Sequence, residues 1–295
     1  MSEVRIDALL PQEMATRVEY LGVRKAEMSF VKTFMLAILA GAFISLGAIF
    51  ATTVGAGSIA IATAGGDAAF TTGFPYGFNR LLVGLVFCLG LILVVVGGAE
   101  LFTGNNLIVM AWASGKVKGR SLLRNWAIVY AGNFVGSIGT VILMFLTKQY
   151  TFGANSIGIA ALKTGVVKVE FSFLQAVALG ILCNALVCLA VWLTFSARST
   201  MDKIAAIIFP ITAFVAAGFE HSVANMYFVP YALFIKYFDP AYISLVGDKV
   251  ANLNDLTWQA FLLNNLIPVT IGNIIGGAVL VAAVYWAIFL RVEND

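Results

Sequence analysis

Charge is what this chain has least of. Asp, Glu, Lys and Arg make up 11% of its 295 residues, against 61% hydrophobic, and a soluble domain of this length carries about twice that charged fraction. Mean hydropathy is +0.95. A water-soluble globule is excluded and a polytopic membrane protein is indicated. Histidine occurs once, at His221, and cysteine three times, at Cys88, Cys183 and Cys188, each inside an apolar run. One imidazole and separated thiols exclude a His/Cys metal cluster. The cysteines read as small apolar packing residues rather than as a disulfide framework. Residues 1–30 are polar and mixed in charge, without the apolar core of a signal peptide. No metal, cofactor or nucleic-acid partner is expected. Membrane lipid is.

Six apolar stretches are long enough to cross a hydrocarbon core of about 30 Å. They lie near 30–57, 79–114, 122–147, 171–198, 203–236 and 258–290. The second and fifth are long for one span and hold glycine and polar residues, so each reads as two helical pieces joined by a non-helical loop. Each also carries one of the only two carboxylates found inside an apolar stretch. Glu100 lies in Gly98-Ala99-Glu100-Leu101-Phe102-Thr103-Gly104-Asn105, and Glu220 in Gly218-Phe219-Glu220-His221-Ser222-Val223-Ala224-Asn225. In both, Asn follows Glu by five residues. A carboxylate at mid-bilayer costs roughly 2.5–3.5 kcal/mol on insertion scales, so two at matching points indicate a site built twice.

The repeat extends further. Phe34-x-x-Ala37-x-x-x-Gly41 matches Phe173-x-x-Ala176-x-x-x-Gly180, and Gly132-Asn133-x-x-Gly136 matches Gly272-Asn273-x-x-Gly276. Three spans per half is an odd number, so the halves enter the membrane from opposite sides. The predicted fold is an all-α membrane protein of two inverted three-helix repeats, at about 30–147 and 171–290, with broken second and fifth helices. The membrane domain runs from 30 to 292. Residues 1–29 precede it, with Leu10, Met14, Val18 and Leu21 at helical spacing after Pro11, which predicts an amphipathic cytoplasmic helix, packed on the base or acting as a gate. Lys and Arg number twelve on the side of the termini, Arg5 among them, and six on the other, which places both termini in the cytoplasm.

Irregular backbone is tolerated at membrane depth only where protein or a water-filled cavity satisfies it. The two breaks should therefore line a passage, their helix ends offering partial charges to an anion. Glu100 and Glu220 are expected to accept hydrogen bonds from loop amides rather than touch a substrate. His221, unique and beside a carboxylate at a helix break, is the foremost functional candidate. Most of the 23 phenylalanines read as core or lipid-facing. Phe87 and Leu91, four apart on one face, and Phe214 are candidates for narrowing a pore.

At Gly-Ala-Glu-Leu-Phe-Thr-Gly (98–104), Gly-Asn-Phe-Val-Gly (132–136), Gly-Phe-Glu-His-Ser-Val-Ala-Asn-Met (218–226) and Asn-Leu-Ile-Pro-Val-Thr-Ile-Gly-Asn-Ile-Ile-Gly-Gly (265–277), the chain resembles the formate–nitrite transporter family, most of all its bacterial formate channels. The resemblance runs from about Leu10 to Arg291. It implies a homopentamer with one pore per protomer and an aquaporin-like fold, although no Asn-Pro-Ala motif is present. It further implies that Phe87 and Phe214 form an outer constriction, and Leu91, Leu101, Phe102 and Val187 an inner one. By the same resemblance Thr103 bonds the central His221, Asn184 and Asn273 face the passage or brace the loops, and Lys168 is a basic residue at the outer vestibule. The N-terminal segment is then implicated in pH gating.

The resulting expectation is a passage for formate and similar small monoanions through a bacterial inner membrane. Lys168 would concentrate anions outside, apolar rings would reject hydrated ions, and His221 would offset desolvation by a proton or hydrogen bond. Nitrite and hydrosulfide share every motif above, and channel and proton-coupled carrier both stay open. A membrane-embedded enzyme would need a second catalytic group, for which only Glu100 and Glu220 are available. A neutral-solute pore is disfavoured by His221 and by the missing Asn-Pro-Ala.

Overall fold

A computed structural model describes residues 8–56, 59–62, 69–72 and 75–291. Arg5 and residue 292, used above in the charge count and the domain boundary, lie outside them. Six helices are long and apolar enough to cross a membrane. In the order that follows, α1 (Pro11–Ala26) precedes the first span, α2 (Phe30–Gly55). Then come α3 (Tyr76–Gly97), a 3-10 turn (Gly104–Ile108) running into the short α4 (Val109–Ala113), and α5 (Gly119–Leu146). The second half has α6 (Ser156–Glu170), α7 (Phe173–Ser196), α8 (Thr200–Ala217), α9 (Ser222–Phe238), α10 (Pro240–Val246) and α11 (Trp258–Phe289). A small antiparallel hairpin, β1 (Ile59–Ala62) with β2 (Ala69–Thr72), joins α2 to α3. The sequence reading has no strand there, since four-residue runs beside a 26-residue apolar helix leave no period to read.

α11 widens into π-helical turns at Phe261–Leu266 and Ile275–Ala283. Pro268 follows the first: its ring cannot donate to the helix ladder and crowds the carbonyl four residues back, which a wider turn relieves.

The two breaks are made alike. α3 ends where Gly98 takes φ 81°, and α8 where Gly218 takes φ 78°, a left-handed stop that costs a glycine nothing. The next amide then folds back in each: Ala99 N donates to Val94 O at 2.9 Å and Phe219 N to Phe214 O at 3.0 Å. The chain resumes as the 3-10 turn after Thr103, and as α9 after His221.

Glycine contacts give the register of the repeat. A Cβ on Gly136 would lie 2.0 Å from Ile38 O, and one on Gly276 2.1 Å from Ile181 O; Gly132 faces Phe34 O and Gly272 faces Val177 O. Phe34 therefore corresponds to Val177 and Ile38 to Ile181, a separation of 143 residues. The sequence match of Phe34 to Phe173 is four residues, one helical turn, out of step. Within apolar helices a shift of one turn returns the same face, so the residue pattern alone does not fix it.

α1 is held by its small residues. A Cβ on Gly22 would lie 3.0 Å from Ala111 Cβ, so the helix lies close against α4, burying Met14, Ala15, Val18 and Ala26. Of the stripe read from sequence, Leu10 is exposed, and buried Glu19, paired with Lys116, stands on the packed face.

Candidate functional site

Each break is stapled by asparagines. Asn133 Nδ2 donates to Ala37 O (2.8 Å) and Glu100 O (2.9 Å), while its Oδ1 accepts from Phe102 N at 2.9 Å. Asn273 does the same in the other half: Nδ2 to Gly180 O and Glu220 O, both 2.9 Å, and Oδ1 from Ser222 N at 2.9 Å. In each half two of these bonds satisfy backbone groups that the missing helical turns leave open, as a buried loop requires, and the third ties the loop to α2 or α7. Asn184 donates to Asn273 O (2.7 Å) and Thr103 O (3.3 Å). Asn184 and Asn273 are thus braces, not groups facing the passage.

The two carboxylates do not take loop amides, contrary to the sequence expectation. Glu100 accepts from Lys25 Nζ (2.7 Å) and Asn105 Nδ2 (2.7 Å). Glu220 accepts from Lys168 Nζ (2.8 Å), Asn225 Nδ2 (2.7 Å) and Asn265 Nδ2 (3.1 Å). The asparagines are themselves tied: Asn105 Nδ2 to Asn125 Oδ1 at 2.9 Å, and Asn225 Nδ2 to Asn265 Oδ1 at 2.7 Å. Asn125 Nδ2 then reaches Lys25 O, and Asn265 Nδ2 reaches Lys168 O. Loop amides go to the neutral Asn133 and Asn273 because the carboxylates are occupied by ammonium groups, the stronger partners. Sequence reading missed Lys25. The signal was present, since Lys25 and Lys168 each stand five residues before the start of a spanning helix, at Phe30 and Phe173.

Two cavities face one another across the protein. One, of about 430 Å3, is lined by Arg80, Phe87, Lys163, Lys168, Phe214 and His221. The other, of about 550 Å3, is lined by Arg17, Lys25, Leu91, Leu101, Arg198 and Lys203. Both are basic at the mouth and apolar at the floor. Phe87 and Phe214 meet edge-on with ring centres 5.7 Å apart, and Leu91 and Leu101 are buried. Phe102 lines neither cavity; it packs edge-on against Tyr130 (4.9 Å) and Trp126 (6.0 Å). Val187 is buried and lines neither.

His221 lines the first cavity and meets Thr103, which is fully buried and lines neither cavity. His221 Nε2 lies 3.0 Å from Thr103 Oγ1. Its Nδ1 accepts from Ala224 N at 3.1 Å, so the ring is the N-cap of α9. A backbone N–H can only donate, so Nδ1 carries no proton and the neutral ring holds its proton on Nε2, aimed at Thr103. Phe214 lies over the same ring, centres 5.9 Å apart and planes 21° from parallel. In the first break the residue that follows the carboxylate is Leu101 instead.

Lys168 is not a freely exposed surface charge. Its side chain is 13% exposed and paired with Glu220, whereas Lys25, paired with Glu100, is 32% exposed. Exposed Lys163 and the half-buried Arg80 stand beside Lys168 at the mouth. Arg80 donates to the carbonyls of Val215 and Ala216 at the end of α8.

Two broken helices around a buried His–Thr pair, with apolar floors and basic mouths on either side, define a transmembrane passage for a small solute. The family model for formate/nitrite transporters matches residues 12–287. The chain belongs to that family. The formate channel FocA of Escherichia coli (strain K12) is 47% identical over 290 residues, 98% of this chain and 97% of that protein. A probable formate transporter of Methanothermobacter thermautotrophicus is 35% identical, over 95% of this chain and 97% of its own length. A solved structure of a pentameric formate channel with formate bound superimposes with a TM-score of 0.78 at 47% identity, covering 89% of this chain and 98% of that one. The protein is a membrane transporter and not an enzyme.

Proposed function

We propose that the chain forms a homopentamer whose protomers each pass formate and similar small monoanions across a bacterial inner membrane, with both termini in the cytoplasm. The observation that carries this reading is the Nε2–H of His221, directed at Thr103 between two basic, apolar-floored cavities. Arg80, Lys163 and Lys168 draw an anion to the outer mouth, and Lys25, Arg17, Arg198 and Lys203 to the inner one. Phe87 and Phe214 on one side, and Leu91 and Leu101 on the other, remove its water. Between them the ion needs a donor, because an unpaired charge in an apolar medium is prohibitively costly. His221 and Thr103 supply it.

The geometry favours a donor over a proton lender. To hand a proton to formate and stay neutral, the ring must first hold two. The second would sit on Nδ1, facing the Ala224 N–H. Accepting a formate oxygen at Nε2–H needs no such displacement.

The two halves of the passage begin at α1 and α6, since Lys25 and Lys168 stand at the same 143-residue separation as the glycine contacts. α1 is then half of the inner mouth as well as a candidate for pH gating. Twelve Lys and Arg on the side of α1 against six opposite support its cytoplasmic placement.

Uptake of labelled formate, nitrite and hydrosulfide into proteoliposomes, each with and without a proton gradient, tests the reading. Formate is expected to move down its own gradient without an imposed one. Uptake strictly dependent on a proton gradient identifies a coupled carrier, and a rate for nitrite or hydrosulfide far above that for formate reassigns the substrate.

A further inference from the structure

We propose that Phe228 positions Lys168 and sets the size limit of the outer constriction, a role that rests on the transport reading above. Lys168 Nζ lies 5.3 Å from the centre of the Phe228 ring, while Glu220 Oε1 holds the same ammonium at 2.8 Å. The cation is fixed between a carboxylate and the negative face of an aromatic ring. Among the described residues cation–π contacts are formed by Lys168 and Lys236, and none by Lys25. The outer mouth therefore has a device that the inner mouth lacks.

The ring also continues inward. Phe228 stacks on Phe87, centres 6.4 Å apart and planes 20° from parallel. Phe87 meets Phe214 edge-on at 5.7 Å, and Phe214 lies over His221 at 5.9 Å. Lys168, Phe228, Phe87, Phe214 and His221 thus form an unbroken train of contacts, and all five line the outer cavity. Phe87 and Phe214 are fully buried, whereas Phe228 is only partly so, which leaves part of its surface to the cavity. Three rings make the wall of the approach to His221. A flexible aliphatic residue at 228 leaves the other two in place, releases the ammonium to other rotamers and opens one side of the approach.

The test compares wild type, Phe228→Leu and Phe228→Tyr in proteoliposomes, with uptake of formate, acetate and lactate measured over concentration. Loss of the cation–π contact in Phe228→Leu raises the KM for formate about fivefold with the maximal rate kept. Opening the wall raises the acetate-to-formate ratio about tenfold, the scale of discrimination a pocket achieves on one carbon unit. Phe228→Tyr keeps the ring and returns both quantities to wild type. A Phe228→Leu protein with wild-type KM and selectivity overturns the proposal. So does one that loses maximal rate equally for all anions without rescue by tyrosine, since that is the mark of mere packing. Should Phe228→Leu not assemble, Phe228→Met is read by the same criteria. If wild type carries nitrite but not formate, the formate assignment falls and the same KM and size comparison is made with nitrite against acetate. A wild type that carries none of these anions overturns both.

Discussion

The two breaks of this protein share their scaffolding and differ most in the residue that follows the carboxylate. Each has a left-handed glycine, a carboxylate held by a lysine and an asparagine five residues on, and a second asparagine stapling the loop. After Glu100 comes Leu101, and after Glu220 comes His221. The same way of interrupting a helix is used twice, and the imidazole stands in one copy only. Thr103, from the copy without the histidine, reaches across to the ring, so the site belongs to both halves even though the titratable ring belongs to one.

The comparison breaks first at the ion pairs. Removing one partner of a buried pair strands the other, at a cost of about 3–5 kcal/mol. Glu220→Ala leaves Lys168, 13% exposed, without its carboxylate, and is expected to lose most assembled protein. Glu100→Ala leaves Lys25, 32% exposed, which water can solvate, so assembly survives with a lower melting temperature. Size-exclusion profiles and thermal scans of the two variants in mild detergent check the order. Equal damage at both would mean that the difference in exposure carries no energetic weight.

Next is the staple. Asn133→Ala and Asn273→Ala each take the partner from one buried loop N–H and one loop carbonyl, at about 1–3 kcal/mol per stranded group, while Ala37 O and Gly180 O, inside α2 and α7, keep their helical donors. Both should destabilise alike, and both should slow transport per assembled protein, Asn273→Ala through Ser222 beside His221 and Asn133→Ala through Phe102 beside Thr103. Thr103→Val, which removes the acceptor of the His221 proton, should lower formate flux about tenfold with assembly intact, and Thr103→Ser should restore it.

The smallest effect lies where Tyr150 and Tyr242 meet Asp239 at the end of α9. Asp239 accepts from Tyr150 Oη at 2.6 Å, and this bond, foremost, holds its carboxyl below the usual carboxylate range despite partial burial. Burial pushes the nearby Tyr242 hydroxyl up to about 12, so it stays a donor, to the carbonyls of Tyr150 and Asn155. A lowered folded-state value means that Asp239 adds stability above its ordinary titration range and loses it as pH falls through the lowered one. Asp239→Asn should therefore cost less melting temperature near pH 3 than at pH 6. Equal cost at both would make the contribution one of shape alone.

Much of this was legible in the sequence because glycine, carboxylate and histidine stand out against an apolar background. The six spans and both breaks follow from residues that have no other reason to be inside a membrane, and the meeting of His221 with Thr103 was implied by the family resemblance alone. The partners of the carboxylates were legible only by setting the two halves side by side. Lys25 and Lys168 sit outside the apolar stretches, where lysine is ordinary, and only the turn from α1 into α2 and from α6 into α7 brings them to the breaks. Phe228 was missed for the opposite reason. Among 23 phenylalanines composition does not say which ring faces a cavity; Phe102 packs on Tyr130 and Phe228 stands under Lys168.

The central claim is that the second break differs by supplying one neutral donor, the Nε2–H of His221. Formate uptake by His221→Phe and His221→Asn pentamers, measured side by side in the same liposomes, tests it. Phenylalanine fills the space without a donor, and flux should fall by about 100-fold or more, the scale seen when a preorganised donor is removed. Asparagine keeps an N–H but cannot carry an imidazole's second proton, and flux should stay within about tenfold of wild type. Two variants equally inactive would show that the passage needs a proton from the ring, and a His221→Phe protein that still carries formate would show that the histidine is only the cap of α9.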